Sequence, residues 1–248
     1  MDFEHYSTRY DSVRMTRKDG VLEVVLHTDG GSLVWGAKPH RELPQAFADI
    51  GGDRENRVVI LTGAGKDFCA DRDNTLSQTR DSPEGWDVIY WEGKRMLEGL
   101  VGIEVPVIAA INGPARHHAE MPVLSDIVLA SETALFQDHA HFHSDVVPGD
   151  GVQFVWQMVL GMNRGRYFLL TGQELTAREA LALGVVSEVL PANKLMDRAR
   201  EIAAELSKRS TLTLRYTRVA MVQHLRRIIA SDLGYGLSLE GLALMRTR

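Results

Sequence analysis

The chain has a single cysteine, Cys69, in 248 residues, so no intramolecular disulfide can staple it. It also lacks an excess of base. The 33 acidic and 28 basic side chains leave a formal net charge of −5, which gives no electrostatic footprint for nucleic acid and no polybasic handle for a membrane. No apolar run approaches bilayer-spanning length, and the opening MDFEHYSTRYD has neither the basic nor the apolar segment of a secretory signal, so a cytoplasmic protein is expected. Internal repeats, linkers and low-complexity stretches are missing too. What remains is a globular chain long enough for one sizeable core, whose expected partners are small molecules or copies of itself.

Titratable groups are concentrated in two places. FQDHAHFHSDVVPGDG, from Phe136 to Gly151, carries His139, His141 and His143 at alternate positions and Asp150 between two glycines. Upstream, VPVIAAINGPARHHAEMPV runs from an apolar strand into a loop with His117, His118 and Glu120. Strand ends feeding polar loops are where α/β enzymes place their chemistry.

The element pattern is α/β. SVRMTR and VLEVVLHT alternate as a hairpin should, with Asp19-Gly20 as the turn. RVVILTG and PVIAAING are short continuous apolar runs, expected as strands buried on both faces. Between them a helix opens at Pro83 after a Ser82 cap. DIVLAS and TALFQ read as strands, GVQFVWQMVLG and RGRYFLLTG as helices, and ALGVVSEVLP as a helix entering a last strand. From about Asn193 only helical patterns remain.

The succession RVVILTGAGKDFCADRD, PVIAAINGP, SDIVLA, the histidine-rich loop closing on VVPGDG, and YFLLTGQELTAREALALGVVSEVLP resembles the crotonase (enoyl-CoA hydratase/isomerase) superfamily over nearly the whole chain. The resemblance implies a crotonase-like spiral of ββα turns over residues 1–192. It also implies a C-terminal helical region, 193–248, that covers the active site and makes trimer contacts within a homo-oligomer, either a trimer or a dimer of trimers. Two departures stand out. Asp71 replaces a glycine whose backbone would approach a thioester oxygen, and His117-His118-Ala119 replaces a glycine run that would supply the second oxyanion donor.

These departures are closer to the β-diketone hydrolase branch, which is 6-oxocamphor hydrolase-like and cleaves a carbon–carbon bond by a retro-Claisen reaction without coenzyme A. Matching motif to motif, the branch implies Trp35 and His118 as oxyanion donors, His141 and Asp150 as a water-activating pair, and Glu240 as an active-site carboxylate. Glu120 falls where hydratases keep their first catalytic glutamate, and His141 stands at the place of the second. Imidazole suits water deprotonation near neutral pH, and a carboxylate on its other ring nitrogen would fix the tautomer and favour the imidazolium. The reading needs no cofactor and no metal.

Other readings stay open on the residues alone. Trp35 can be core, Asp150 can cap the helix that follows it, and Glu240 can be a solvated helix residue. His139, His141 and His143 share one side only if their segment is extended, which would allow a zinc or iron site. A divergent coenzyme A-dependent hydratase/isomerase and a non-catalytic member are the remaining alternatives. Trp35, Trp86, Trp91 and Phe154 are candidates to wall an apolar pocket.

Overall fold

Strict alternation produces the first two strands, β1 (Val13–Lys18) and β2 (Val21–Leu26), which pair antiparallel with Lys18 opposite Val21. Asp19 and Gly20 between them take φ of 52° and 78°, the double positive turn that matches strand twist. The computed structural model describes residues 2–245. Further strands join β2 in parallel, giving the order β1-β2-β4-β6-β7-β10, with β4 at Val58–Gly63, β6 at Val107–Ile111, β7 at Ile127–Ser131 and β10 at Glu188–Leu190. Every residue of β6 is buried, which is why it reads as a continuous apolar run. Two short pairs lie apart: β3 (Val34–Trp35) with β5 (Asp71–Arg72), and β8 (Leu135–Phe136) with β9 (Leu175–Thr176).

The helices bury the sheet's two faces. After a short α1 (Phe3–Tyr6) comes α2 (Ala37–Gly52), which carries Pro39 and an interior Pro44. Proline this deep in a helix hides the helical signal in the sequence, and α2 is the one long helix that the sequence pattern does not announce. α3 (Thr75–Thr79) is short; α4 (Pro83–Gly102) starts as expected, with the Ser82 hydroxyl accepting from the Gly85 amide. α5 (Glu120–Val123), α6 (Val152–Leu160), α7 (Met162–Thr171) and α8 (Ala177–Ala182) follow, the last opened by a reciprocal Thr176–Glu179 capping box. α2 and α4 pack Phe47, Leu97 and Leu100 into the larger core. On the other face α9 (Ala192–Leu206) lays Leu195, Ala199 and Ala203 over Val58, Ile60, Ile108 and Leu129.

The C-terminal helices α10 (Thr211–Met221), α11 (Gln223–Ile228) and α12 (Gly234–Leu244), with a π turn at Ile229–Leu233, are pinned by polar bonds as well as apolar contact. Arg218 is buried, pairs with Asp126 at 2.6 Å and donates to the carbonyls of Val101 and Ile103. α12 then returns across α4 into the same chain's interior, while Leu212, Tyr216, Met221, Tyr235 and Leu242 remain exposed. Among the described residues no helix is long and apolar enough to cross a membrane.

Candidate active site

Parallel strands deliver their loops to one edge of the sheet. The loop after β6 places His117 and His118, with His118 at φ 52°, a left-handed conformation that histidine tolerates only at a cost. α5 begins with Glu120, the loop after β8 contributes Asp138 and His141, and the turn before α6 supplies Asp150. α12 closes over them with Glu240. That approach depends on Gly149 and Gly236, which meet backbone to backbone, so that a methyl on either would overlap the other's carbonyl oxygen. The result is a cleft with about 750 Å³ of empty space, its open mouth and adjoining solvent included. Trp35, His118, His141, Asp150 and Glu240 all line it, together with the apolar Trp86, Ile89, Met96 and Leu237. Of the four candidate wall residues, Trp91 lies outside, where it stacks on Arg95, and Phe154 is core.

The titratable groups form one continuous chain. Glu120 Oε1 stands 2.8 Å from His118 Nδ1, which is 3.5 Å from Asp150 Oδ2; that carboxylate lies 3.3 Å from His141 Nε2, and His141 Nδ1 is 2.6 Å from Asp138 Oδ1. Glu240 Oε1 completes it 3.9 Å from His141 Nε2. His141 and Asp150 therefore meet, but not as the sequence suggests. The carboxylate that fixes the far nitrogen of the ring is Asp138, and Asp150 occupies the nitrogen nearer the cavity, bridging His141 to His118. Nor does Asp150 cap α6 with its side chain in the usual way. Gly151 holds the N-cap position, and the Val152 amide supports the Asp150 carboxylate.

Burial and pairing compete at each group. Burial opposes a charge on His141, yet Asp150 and Asp138 outweigh it and hold the ring's pKa well above that of a free imidazole. His118 is likewise raised against its burial by Glu120 and Asp150. Burial would lift Asp150, but the two imidazoliums pull it below the usual carboxylate range. Burial pushes Glu240 up to about 8 and raises Glu120 as well, in both cases against the pull of a histidine. At neutral pH the arrangement thus holds a charged His141, an ionised Asp150 and a neutral Glu240.

Two rings pack together beside this chain. The Trp35 indole lies against the His118 ring with centroids 3.9 Å apart, and with His118 Nδ1 taken by Glu120, its Nε2 is the nitrogen left for a ligand. The amides of Arg116 and His117 both donate to the Cys69 carbonyl, so neither is free to hold a thioester oxygen.

Sequence reasoning passes over three residues here. Asp138 lies in a loop, where no period marks it. His40, in the first turn of α2, lines the cavity, stands edge-on to Trp35 and bonds through Nδ1 to the buried Glu92 at 2.7 Å. Glu92 had a signal: it follows Ile89 by three and precedes Met96 by four, on the apolar face of α4.

The alternating histidines do not share a side. The chain turns at His141 into a 3₁₀ turn, His143 bonds outward to the Thr171 carbonyl, and His139 stacks edge-on against His117, so the three histidines do not converge as the alternative metal reading requires. A different trio, His118, Glu120 and Asp150, has ligand atoms within 4.8 Å of one another, but those atoms already satisfy each other as ion pairs.

The model of the enoyl-CoA hydratase/isomerase family matches residues 18–234. A probable peroxisomal enoyl-CoA hydratase of Arabidopsis thaliana is 32% identical, over 80% of this chain and 72% of its own length. A carnitinyl-CoA dehydratase of Proteus mirabilis is 30% identical, over 95% of this chain and 86% of its own. The solved structure of a beta-diketone hydrolase from the cyanobacterium Anabaena, bound to (S)-3-oxocyclohexyl acetic acid, is 51% identical and superimposes with a TM-score of 0.95 over 97% of this chain and 96% of that one. With the mixed, parallel-rich sheet and its covering helices, these matches make the chain a member of the enoyl-CoA hydratase/isomerase family, the crotonase superfamily.

Proposed function

We propose that the protein hydrolyses the carbon–carbon bond of a β-diketone, probed best with a cyclic one, by a retro-Claisen reaction that uses no coenzyme A. The observation that carries this reading is His141 held between Asp138 and Asp150 at the wall of an apolar cavity, an arrangement suited to taking a proton from water. The likeness to a beta-diketone hydrolase at 51% identity supports it.

In this mechanism the active form has lost the His141 proton. Water attacks one carbonyl carbon and gives its proton to His141 Nε2 as the bond forms, and Asp138 and Asp150 stabilise the imidazolium. The alkoxide is held by the Trp35 indole and by His118, donors of a kind worth about 3 kcal/mol each when preorganised. Collapse of the alkoxide breaks the carbon–carbon bond, whose electron pair leaves as an enolate. Neutral Glu240 supplies the proton that the enolate carbon needs. His40, oriented by Glu92, faces the same space and is placed to hold the second carbonyl. The same reading takes the chain as a homo-oligomer, a trimer or dimer of trimers, with the exposed apolar side chains of residues 210–245 facing neighbouring copies.

The second reading is coenzyme A-dependent hydration, favoured by the relatives at 30–32% identity and by Glu120 inside the cluster. One experiment separates them: purified protein is offered cyclic 1,3-diketones and crotonyl-coenzyme A in parallel, and products are read by mass. A keto acid, the diketone plus one water, supports the hydrolase; hydration of the thioester with every diketone untouched overturns it.

A further inference from the structure

The cavity is charged unevenly from one end to the other. Its inner end is lined by Asp150, Glu240 and two imidazoles, with Glu120 buried against His118. Its mouth is lined by two guanidiniums, Arg72 at the end of β5 and Arg80 at the end of α3, and neither donates to any group of the described protein through its side chain. The Nε of Arg80 is shielded from solvent and still unpartnered. An N–H of a cation buried without an acceptor is costly, and such a group calls for a ligand or water. The acid beside them, Asp73, is already engaged by the Thr75 amide at 2.8 Å and by the Thr75 hydroxyl.

The buried His117, which lines the same cavity, has positive groups around it. His117, 2% exposed, has its pKa driven down to about 3, first by burial and then by the positive charges of His118, Arg72, His139 and His141. This corner of the cavity is electropositive, as a site for an anion must be.

The chemistry of the proposed reaction supplies such an anion. A neutral diketone takes up water; the oxygen stays on the acyl carbon, the carbon–carbon pair leaves on the enolate carbon and is protonated, and the new carboxylic acid ionises. A carboxylate formed beside the ionised Asp150 meets a like charge there. We infer that Arg72 and Arg80 form a carboxylate subsite at the mouth of the cavity, which takes the acid group of a keto acid. This rests on the hydrolase reading. The carboxylate has two possible sources, the product or an acid group borne by the substrate itself.

The test is calorimetric binding of 3-oxocyclohexyl acetic acid and of its methyl ester to the whole protein and to the Arg72→Gln/Arg80→Gln variant. The acid is expected to lose about tenfold in affinity and the ester less than about twofold, with Arg72→Lys/Arg80→Lys recovering most of the acid's binding. Equal losses for acid and ester, no loss for either, or no binding of the acid to the unaltered protein overturn the subsite. Should the variant fail to fold, the unaltered protein decides: acid binding must weaken with added salt while ester binding does not. In turnover, a tenfold rise in KM confined to a carboxylate-bearing diketone assigns the subsite to substrate, and loss of keto acid binding alone assigns it to product. None of the binding arms needs catalysis, so failure of the hydrolase reading is seen separately, as diketones that yield no keto acid.

Discussion

His141 is gripped at both nitrogens, and this sets where its proton lies. Because Asp150 and Asp138 raise its pKa, the imidazolium persists above neutrality and the basic form gains only as pH rises. The rate constant kcat/KM on a diketone is therefore expected to climb as pH rises and His141 loses its proton, and to fall again as Glu240 loses its proton near pH 8. Asp138→Asn removes one of the two charges that raise the pKa, so its rising limb should move to lower pH while the maximum rate drops. A profile for Asp138→Asn that superimposes on the unaltered one would remove Asp138 from the mechanism. His141→Ala should lower kcat by about 100-fold or more with little effect on substrate affinity, the scale of a lost general base. Since Asp150 shares that proton, Asp150→Asn combined with His141→Ala should cost little beyond His141→Ala alone; losses that multiply would mean the two act independently.

At the scale of elements, the site exists because α12 reaches the loop before α6. Gly236→Ala puts a methyl against the Gly149 carbonyl, and overpacking of this kind costs about 1–3 kcal/mol while lifting Glu240 away from His141. Its expected mark is a folded protein with reduced kcat, measured beside a urea titration; unchanged kcat would show that α12 tolerates the displacement. The docking of α10 depends instead on Arg218. Arg218→Met leaves Asp126 without its cation and two carbonyls without a donor, a change expected to destabilise the fold by about 3–5 kcal/mol. Urea midpoints within error of each other would exclude that role.

For the whole molecule, the two roles proposed for the C-terminal helices can be told apart. A chain ending at Arg209 loses Arg218, Leu237 and Glu240 together, so it should have neither the stability nor the cavity of the full protein. The exposed Leu212, Tyr216, Met221, Tyr235 and Leu242 ask a different question, which sedimentation of the full chain answers: a trimer or hexamer is expected, and a monomer at micromolar concentration would refute the oligomer. Diketone turnover is also expected to survive exhaustive chelation. Loss of activity restored by zinc would move His118, Glu120 and Asp150 from an ion-paired chain to a metal site.

By itself the sequence determined what depends on neighbours along the chain. The Asp19-Gly20 turn, the buried runs of β4 and β6, the Ser82-Pro83 start of α4 and the helical C-terminal region are all local consequences of alternation, period and capping. Ordered motifs also pointed to Trp35, His118, Glu120, His141, Asp150 and Glu240, which do come together. Tertiary structure decided the pairing among them. That Asp138 rather than Asp150 holds the outer nitrogen of His141, that His40 meets Glu92 from another helix, and that His139 and His143 point elsewhere depends on loop paths with no periodicity to read. The proton states follow from the same packing. A histidine and a glutamate have ordinary affinities for protons until burial and the distance to the next charge are fixed, and only the fold fixes those.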